Sequence, residues 1–298
     1  ALARGAQLAR AAAAAQIDPK LTDAFARSFD SAMFERVAKA FTYHLRLGRQ
    51  RNFARRYGAH LGWIPDNGVL LLNEAYDRRI AASALTPDGW AGGEEADGLN
   101  AHQLMLACLF EDNKTVRGVK LLLALLEPLQ VENAEDWQRS AARDCYSGAL
   151  RGAGLANDAT TCGDIVAMMR ADGIDELNPQ DKLSVLRAAL GGATHEYALA
   201  ARHNEELGVE AVVFPNGQSI TLPKGAAAAL EPWLREGALL PPPVYGIVAS
   251  ALSSLPVVQG KRRSGSAVDV LESTEQIWEC WQQQQQEQQG EQVSHPEA

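Results

Sequence analysis

The chain has 298 residues and 32.1 kDa, with hydrophobic residues at 46% and charged residues at 22%, which excludes bulk intrinsic disorder and a collagen-like structure. Its 28 Lys and Arg stand against 37 Asp and Glu, a formal net charge of -9, so the surface as a whole is not a cationic sleeve for nucleic acid, and any such contact is local. Four cysteines form no CxxC pair, which argues against a zinc knuckle or a disulfide framework and for buried thiols.

The first sixteen residues are rich in Ala and Arg and contain no acid, and they read as an Ala-driven helix more than as a transit peptide. Ala1 stands where an initiator Met is expected, so we expect a processed chain or a segment of a longer one. Asp18-Pro19 is a helix-start signal, and Leu21, Phe25, Phe29, Phe34, Val37 and Phe41 follow it at roughly helical spacing. Further on, Leu99–Phe110 and Val116–Leu126 predict two buried helices, the second so apolar that it should be central. Asn133 with Asp136 predicts a capped helix to about Leu150, and Thr161 with Asp164 starts another that Gly173 can end. Asn178-Pro179-Gln180-Asp181 repeats this pattern and leads into Leu183, Leu186 and Leu190.

Strand signals are scarce. Val209–Phe214 and Gln218–Leu222 flank Pro215-Asn216-Gly217 and predict a β-hairpin, because Asn-Gly accepts the positive φ of a tight turn. Three consecutive prolines within Leu239–Pro243 predict an extended polyproline stretch before a helix at Tyr245–Leu255. Lys261–Ser266 reads as a linker, Val268–Trp281 as a last amphipathic helix, and the Gln-rich tail to Ala298 is too polar to bury a core. The fold class expected is therefore α+β, predominantly α-helical with one small antiparallel hairpin. A helix-rich domain over 1–260 would be followed by linker, short helix and flexible tail over 261–298. No apolar run approaches the ~20 residues of a membrane span.

Several clusters bear on chemistry. His195-Glu196 resembles the start of a metalloprotease zinc helix, but Leu199 occupies the position of the second His, and His203 lies more than two turns away. Cys108 near His102, or Cys162 with a distant His, are the conceivable thiol–base pairs. Gly148, Gly152 and Gly154 look like a helix-ending turn; the dinucleotide-binding pattern fails because Asn157 replaces the third Gly. Glu94, Glu95 and Asp97 fall in a Gly-rich loop that reads as solvated. A stronger signal is Arg46, Arg49, Arg51, Arg55 and Arg56, interleaved with Phe53 and flanked by Tyr43 and Tyr57 in an acidic protein. Such a run suits a protein interface or intramolecular pairing first, and contact with RNA or another polyanion second.

The stretches NFARRYGAHLG at Asn52–Gly62, LNEAYDRRIAASAL at Leu72–Leu85, DGLN at Asp97–Asn100 and ALGGATHEYALAARHNEELG at Ala189–Gly208, with the FPNG turn, carry a family likeness. Over about residues 50–255 the chain resembles the later part of capsid proteins from totivirus-like, victorivirus-type double-stranded RNA viruses of fungi. Members of that family are longer than this chain, and the Gln-rich tail departs from their Ala-, Gly- or Pro-biased termini. The resemblance implies a helix-rich α+β shell subunit that forms homo-oligomers, closing an icosahedral particle around double-stranded RNA and its polymerase. It places the protein in virions and the host cytoplasm, with no catalytic residue, cofactor, metal or membrane. An acidic wall is compatible with that role, since strong phosphate pairing would hold the genome still. Arg46–Arg56 and Leu239–Val244 are the expected contact regions. From another class, the alternative is a helical secreted bacterial effector, a transferase or hydrolase, with His195, Glu196 and a Cys in a cleft.

Overall fold

The computed structural model describes residues 38, 73, 76, 101–129, 134–203, 208–214, 217–235, 240–253, 255, 275–279, 281 and 282. Among them seven helices have defined bounds, with one hairpin. They are α1 (Ala101–Glu111), α2 (Thr115–Leu126), α3 (Asp136–Ala156), α4 (Ala159–Ala171), α5 (Pro179–Arg202), β1 (Val209–Val213), β2 (Ser219–Pro223), α6 (Lys224–Arg235) and α7 (Pro242–Ser253). The expected class, mostly helical with one small antiparallel hairpin, is what these elements make. The chain divides into two compact units, one of Ala1–Ala156 with Gly163–Leu177 and the other of Asn157–Cys162 with Asn178–Ala298.

Among the described helices of the first unit α1 is the most enclosed. All eleven of its residues are buried, including His102, Gln103 and Glu111. The expectation that Val116–Leu126 would be central is corrected: α2 buries Gly118, Leu122, Leu125 and Leu126 and leaves Val116 72% and Leu123 51% exposed. Mean apolarity does not decide which helix is surrounded; the neighbours do. α1 ends on Asn113 in the left-handed region at φ 57, with Asn113 N–H donating to Phe110 O and Lys114 N–H to Leu109 O, the two bonds of a Schellman cap.

The Gly148–Gly154 stretch is a second correction. It is no turn but a buried part of the second half of α3, which runs on to Ala156. A Cβ at Gly148 would lie 2.7 Å from Gln103 Cα, and one at Gly152 would lie 2.5 Å from the Ala107 carbonyl oxygen. Two glycines four residues apart, on a face shared with Ala141, Cys145 and Ala149, thus let the α3 backbone approach that of α1. The helix start also moves. Glu135 N–H donates to Gln138 Oε1, a back-reaching bond of the capping-box kind, just ahead of Asp136.

α4 begins at Ala159 because Asp158 is its cap: Asp158 Oδ1 accepts from Thr161 N–H at 3.0 Å and Oδ2 from the Thr161 hydroxyl at 2.6 Å. Thr161 is therefore the third residue of the helix and not its start. Gly173 closes α4 as expected, at φ 76, with Gly173 N–H on Arg170 O and Ile174 N–H on Met169 O.

In the second unit the predicted cap of α5 is present. Asn178 Oδ1 accepts from Asp181 N–H at 2.8 Å, and Pro179 occupies the first turn. Asn178→Ala should cost about 1 kcal/mol of this unit's stability, read as a lower urea midpoint at unchanged m-value.

The hairpin pairs antiparallel in the register Val209 with Pro223 to Val213 with Ser219. Gly217 at φ 84 closes it, and Phe214 N–H donates to Gln218 O. Its inward residues Val212, Phe214, Ile220 and Leu222 meet Leu186 and Leu190 of α5, Leu230 of α6 and Val248 of α7 in one core. Phe214 and Tyr245 stack at 5.9 Å. Of the last helix, 275–279, 281 and 282 are helical, and Ile277 joins the same core.

The polyproline expectation at Leu239–Pro243 fails in part. Pro242 and Pro243 form the first turn of α7, where a missing N–H breaks no helical bond. Pro232 lies within α6, past its first two turns.

Candidate functional site

The arginine run Arg46, Arg49, Arg51, Arg55 and Arg56, the loop acids Glu94, Glu95 and Asp97, and most of the Gln-rich tail lie outside the described residues. The His195-Glu196 pair sits on α5 with both side chains exposed. His203 caps that helix through its backbone, its N–H donating to Leu199 O and Ala200 O. Among the described residues no three His, Cys, Asp or Glu come close enough to hold a metal ion. No described helix is long and apolar enough to cross a membrane.

The thiol–base pairs are not assembled either. His102 and Cys108 are six residues apart on α1, which points them to different sides of the helix. The His102 ring is hydrogen-bonded through Nδ1 to the Tyr76 hydroxyl, the two rings edge to face at 5.4 Å. The Cys108 thiol lies instead 3.7 Å from the Ala38 carbonyl. Burial lowers the His102 pKa from 6.5 to about 4, so the imidazole is neutral at physiological pH.

Burial, reinforced by Asp144, pushes the Cys145 thiol far above its ordinary range, and burial with Asp158 pushes Cys162 up to about 12. These are core thiols and not nucleophiles. We expect Ellman's reagent at pH 8 to leave Cys108, Cys145 and Cys162 unlabelled in the native protein and to label all three in guanidinium, with mass mapping separating them from Cys280. Rapid native labelling of Cys145 or Cys162 would contradict their placement.

The site that does form was not legible as a motif. An open groove of about 680 Å³ in the first unit is lined by Leu123, Leu126, Glu127, Tyr146, Met168 and Asp172, among others. Glu127 is the residue at which α2 ends, and Asp172 follows the last residue of α4. Tyr146, buried on α3, donates its hydroxyl proton to Asp172 Oδ2, which ties α3 to the end of α4. Two helix carboxyl ends carry partial negative charge, and here each adds a carboxylate beside apolar walls. The groove can therefore take up a cation on an apolar body; no nucleophile lines it. The available hint was Tyr146, a large side chain with a polar tip set amid the small residues of α3.

α2 continues this surface. Val116, Lys120, Leu123 and Glu127 are all exposed and recur at helical spacing, so two large apolar side chains lie in one stripe that runs to the groove. In the second unit Val213 and Trp278 are 59% and 56% exposed, and Trp278 stacks on Trp281 at 4.8 Å.

No protein-family model, curated protein or solved structure matches this chain.

Proposed function

We propose that this chain is a structural subunit that assembles with copies of itself, a coat protein of an icosahedral shell enclosing double-stranded RNA and its polymerase, of the totivirus-like kind that its sequence resembles. One observation carries the assembly reading: the outer stripe of α2, with Val116 72% and Leu123 51% exposed, borders an open groove. Large apolar side chains held in water on one helix face gain free energy when a partner covers them, at about 25 cal/mol per Å².

The net charge of -9 supports the choice of cargo relation, because an acidic shell confines RNA without gripping its phosphates. The first unit suits a wall subunit, since α1 and α3 pack at backbone distance and its described thiols are buried. A closed shell needs several distinct contact patches per copy, and the α2 stripe with its groove in the first unit and the Trp278–Trp281 pair in the second are candidates for them.

The test is the mass and shape of the purified chain. Size-exclusion chromatography with light scattering and negative-stain microscopy should find closed particles of megadalton mass. A monomer of 32.1 kDa at every concentration would sink the proposal. Turnover abolished by replacing His195, Glu196 or a cysteine would replace it with the effector-enzyme reading.

A further inference from the structure

The groove of the first unit combines three properties that together specify an occupant. Its walls include the apolar side chains of Leu123, Leu126 and Met168. Its rim holds Glu127 and Asp172, each at the carboxyl end of a helix, so fixed dipoles add to formal charge. It is open, and the exposed Leu123 leads into it. An anionic or purely polar segment is rejected by such a surface, while a guanidinium beside an aromatic ring meets both requirements, since Arg pairs with carboxylates through two parallel N–H bonds and is weakly hydrated.

The densest source of that chemistry is in this chain. Arg46, Arg49, Arg51, Arg55 and Arg56 occupy eleven residues with Phe53 among them and Tyr57 next, in a protein of net charge -9. The other basic run, Lys261-Arg262-Arg263, has no apolar residue within it to fill the walls. We infer that the groove between α2 and α4 of one copy receives the Arg46–Arg56 segment of a second copy, a head-to-tail contact of the kind that propagates and closes an assembly. The inference rests on the self-assembly proposed above and names one of its contacts.

Two charge-exchanged full-length variants test it by sedimentation velocity. The groove variant is Glu127→Lys with Asp172→Lys, and the segment variant is Arg51→Glu with Arg55→Glu and Arg56→Glu. Each alone faces like charge with like and should weaken self-association by about tenfold or more. Mixed in equal amounts, every groove meets a segment of opposite sign on the other variant, and association should return to within about threefold of the unmodified protein. Should loss of the Tyr146 bond unfold the groove variant, Glu127→Lys alone keeps the test, because that side chain is exposed and a lysine at a helix carboxyl end is favoured by the dipole.

Unmodified protein that never self-associates overturns the assembly proposal itself. Normal assembly of the groove variant overturns this inference alone. Loss without rescue on mixing, but with rescue when both sets of changes are placed in one chain, would show that the segment lies in its own groove. Sensitivity moved to Lys261→Glu with Arg262→Glu and Arg263→Glu would assign the groove to the other basic run; both results overturn the contact inferred here.

Discussion

Gly152→Val should lower the stability of the first unit by about 3 kcal/mol or more, while Gly163→Ala should raise it by about 0.5–1 kcal/mol. Both residues are helical glycines of the same unit, and the opposite signs follow from what each would meet. A methyl group at Gly152 lies 2.5 Å from the Ala107 carbonyl oxygen and 2.8 Å from Phe110 Cβ. Backbone cannot swing aside as a side chain can, so α3 must back away from α1 and give up packing along the whole face. Gly152→Ala feels the same clash with a smaller group; its gain in helix propensity, about 1 kcal/mol, should not offset it. At Gly163 nothing lies within 4 Å, and the added methyl mainly reduces the freedom of the unfolded chain. Urea titrations of the three variants decide the matter. A neutral Gly152→Val would mean that α1 and α3 are not in backbone contact.

Acid should weaken the same unit through His102. Its pKa falls from 6.5 in the unfolded chain to about 4 when folded, because the ring is enclosed in α1's surroundings. Below 6.5 the unfolded state binds a proton that the folded state does not, so stability falls as pH drops through that value and levels off below about 4, where both states are protonated. The full contribution is about 3 kcal/mol, at 1.36 kcal/mol for each pKa unit. His102→Phe removes the titrating group and keeps an aromatic ring in the site, although it loses the hydrogen bond to Tyr76. Its stability at pH 7 should be lower, but the slope between pH 6.5 and 4 should be flatter than in the unmodified protein by up to this amount. Equal slopes in the two proteins would show that His102 is not buried as an uncharged ring. All remaining titratable groups are common to the two proteins, so the difference in slope reports His102.

The candidate site shows where reading residues in order runs out. Tyr146 and Asp172 are 26 positions apart, and neither belongs to a recognisable motif. Their pairing exists because Gly148 and Gly152 draw α3 onto α1, and because the Gly173 cap stops α4 where its carboxyl end reaches Tyr146. The pairs that did catch the eye in sequence fared otherwise: His102 and Cys108 are neighbours along α1 yet turn to Tyr76 and Ala38 respectively. His195 and Glu196 are adjacent in sequence and remain on an exposed face of α5.

Local chemistry determined the segmentation of this protein. Asn178 with Pro179, Gly173, and the turn closed by Gly217 act within a few residues of themselves, and α5, the end of α4 and the hairpin stand where those signals put them. The folded chain alone decided which described helix is most enclosed, that Gly148 and Gly152 make a packing face and not a turn, that two prolines open α7, and that a groove exists. Capping and turn formation are settled by backbone geometry over four or five residues, whereas burial depends on partners that are distant in sequence and defined only once the helices have met.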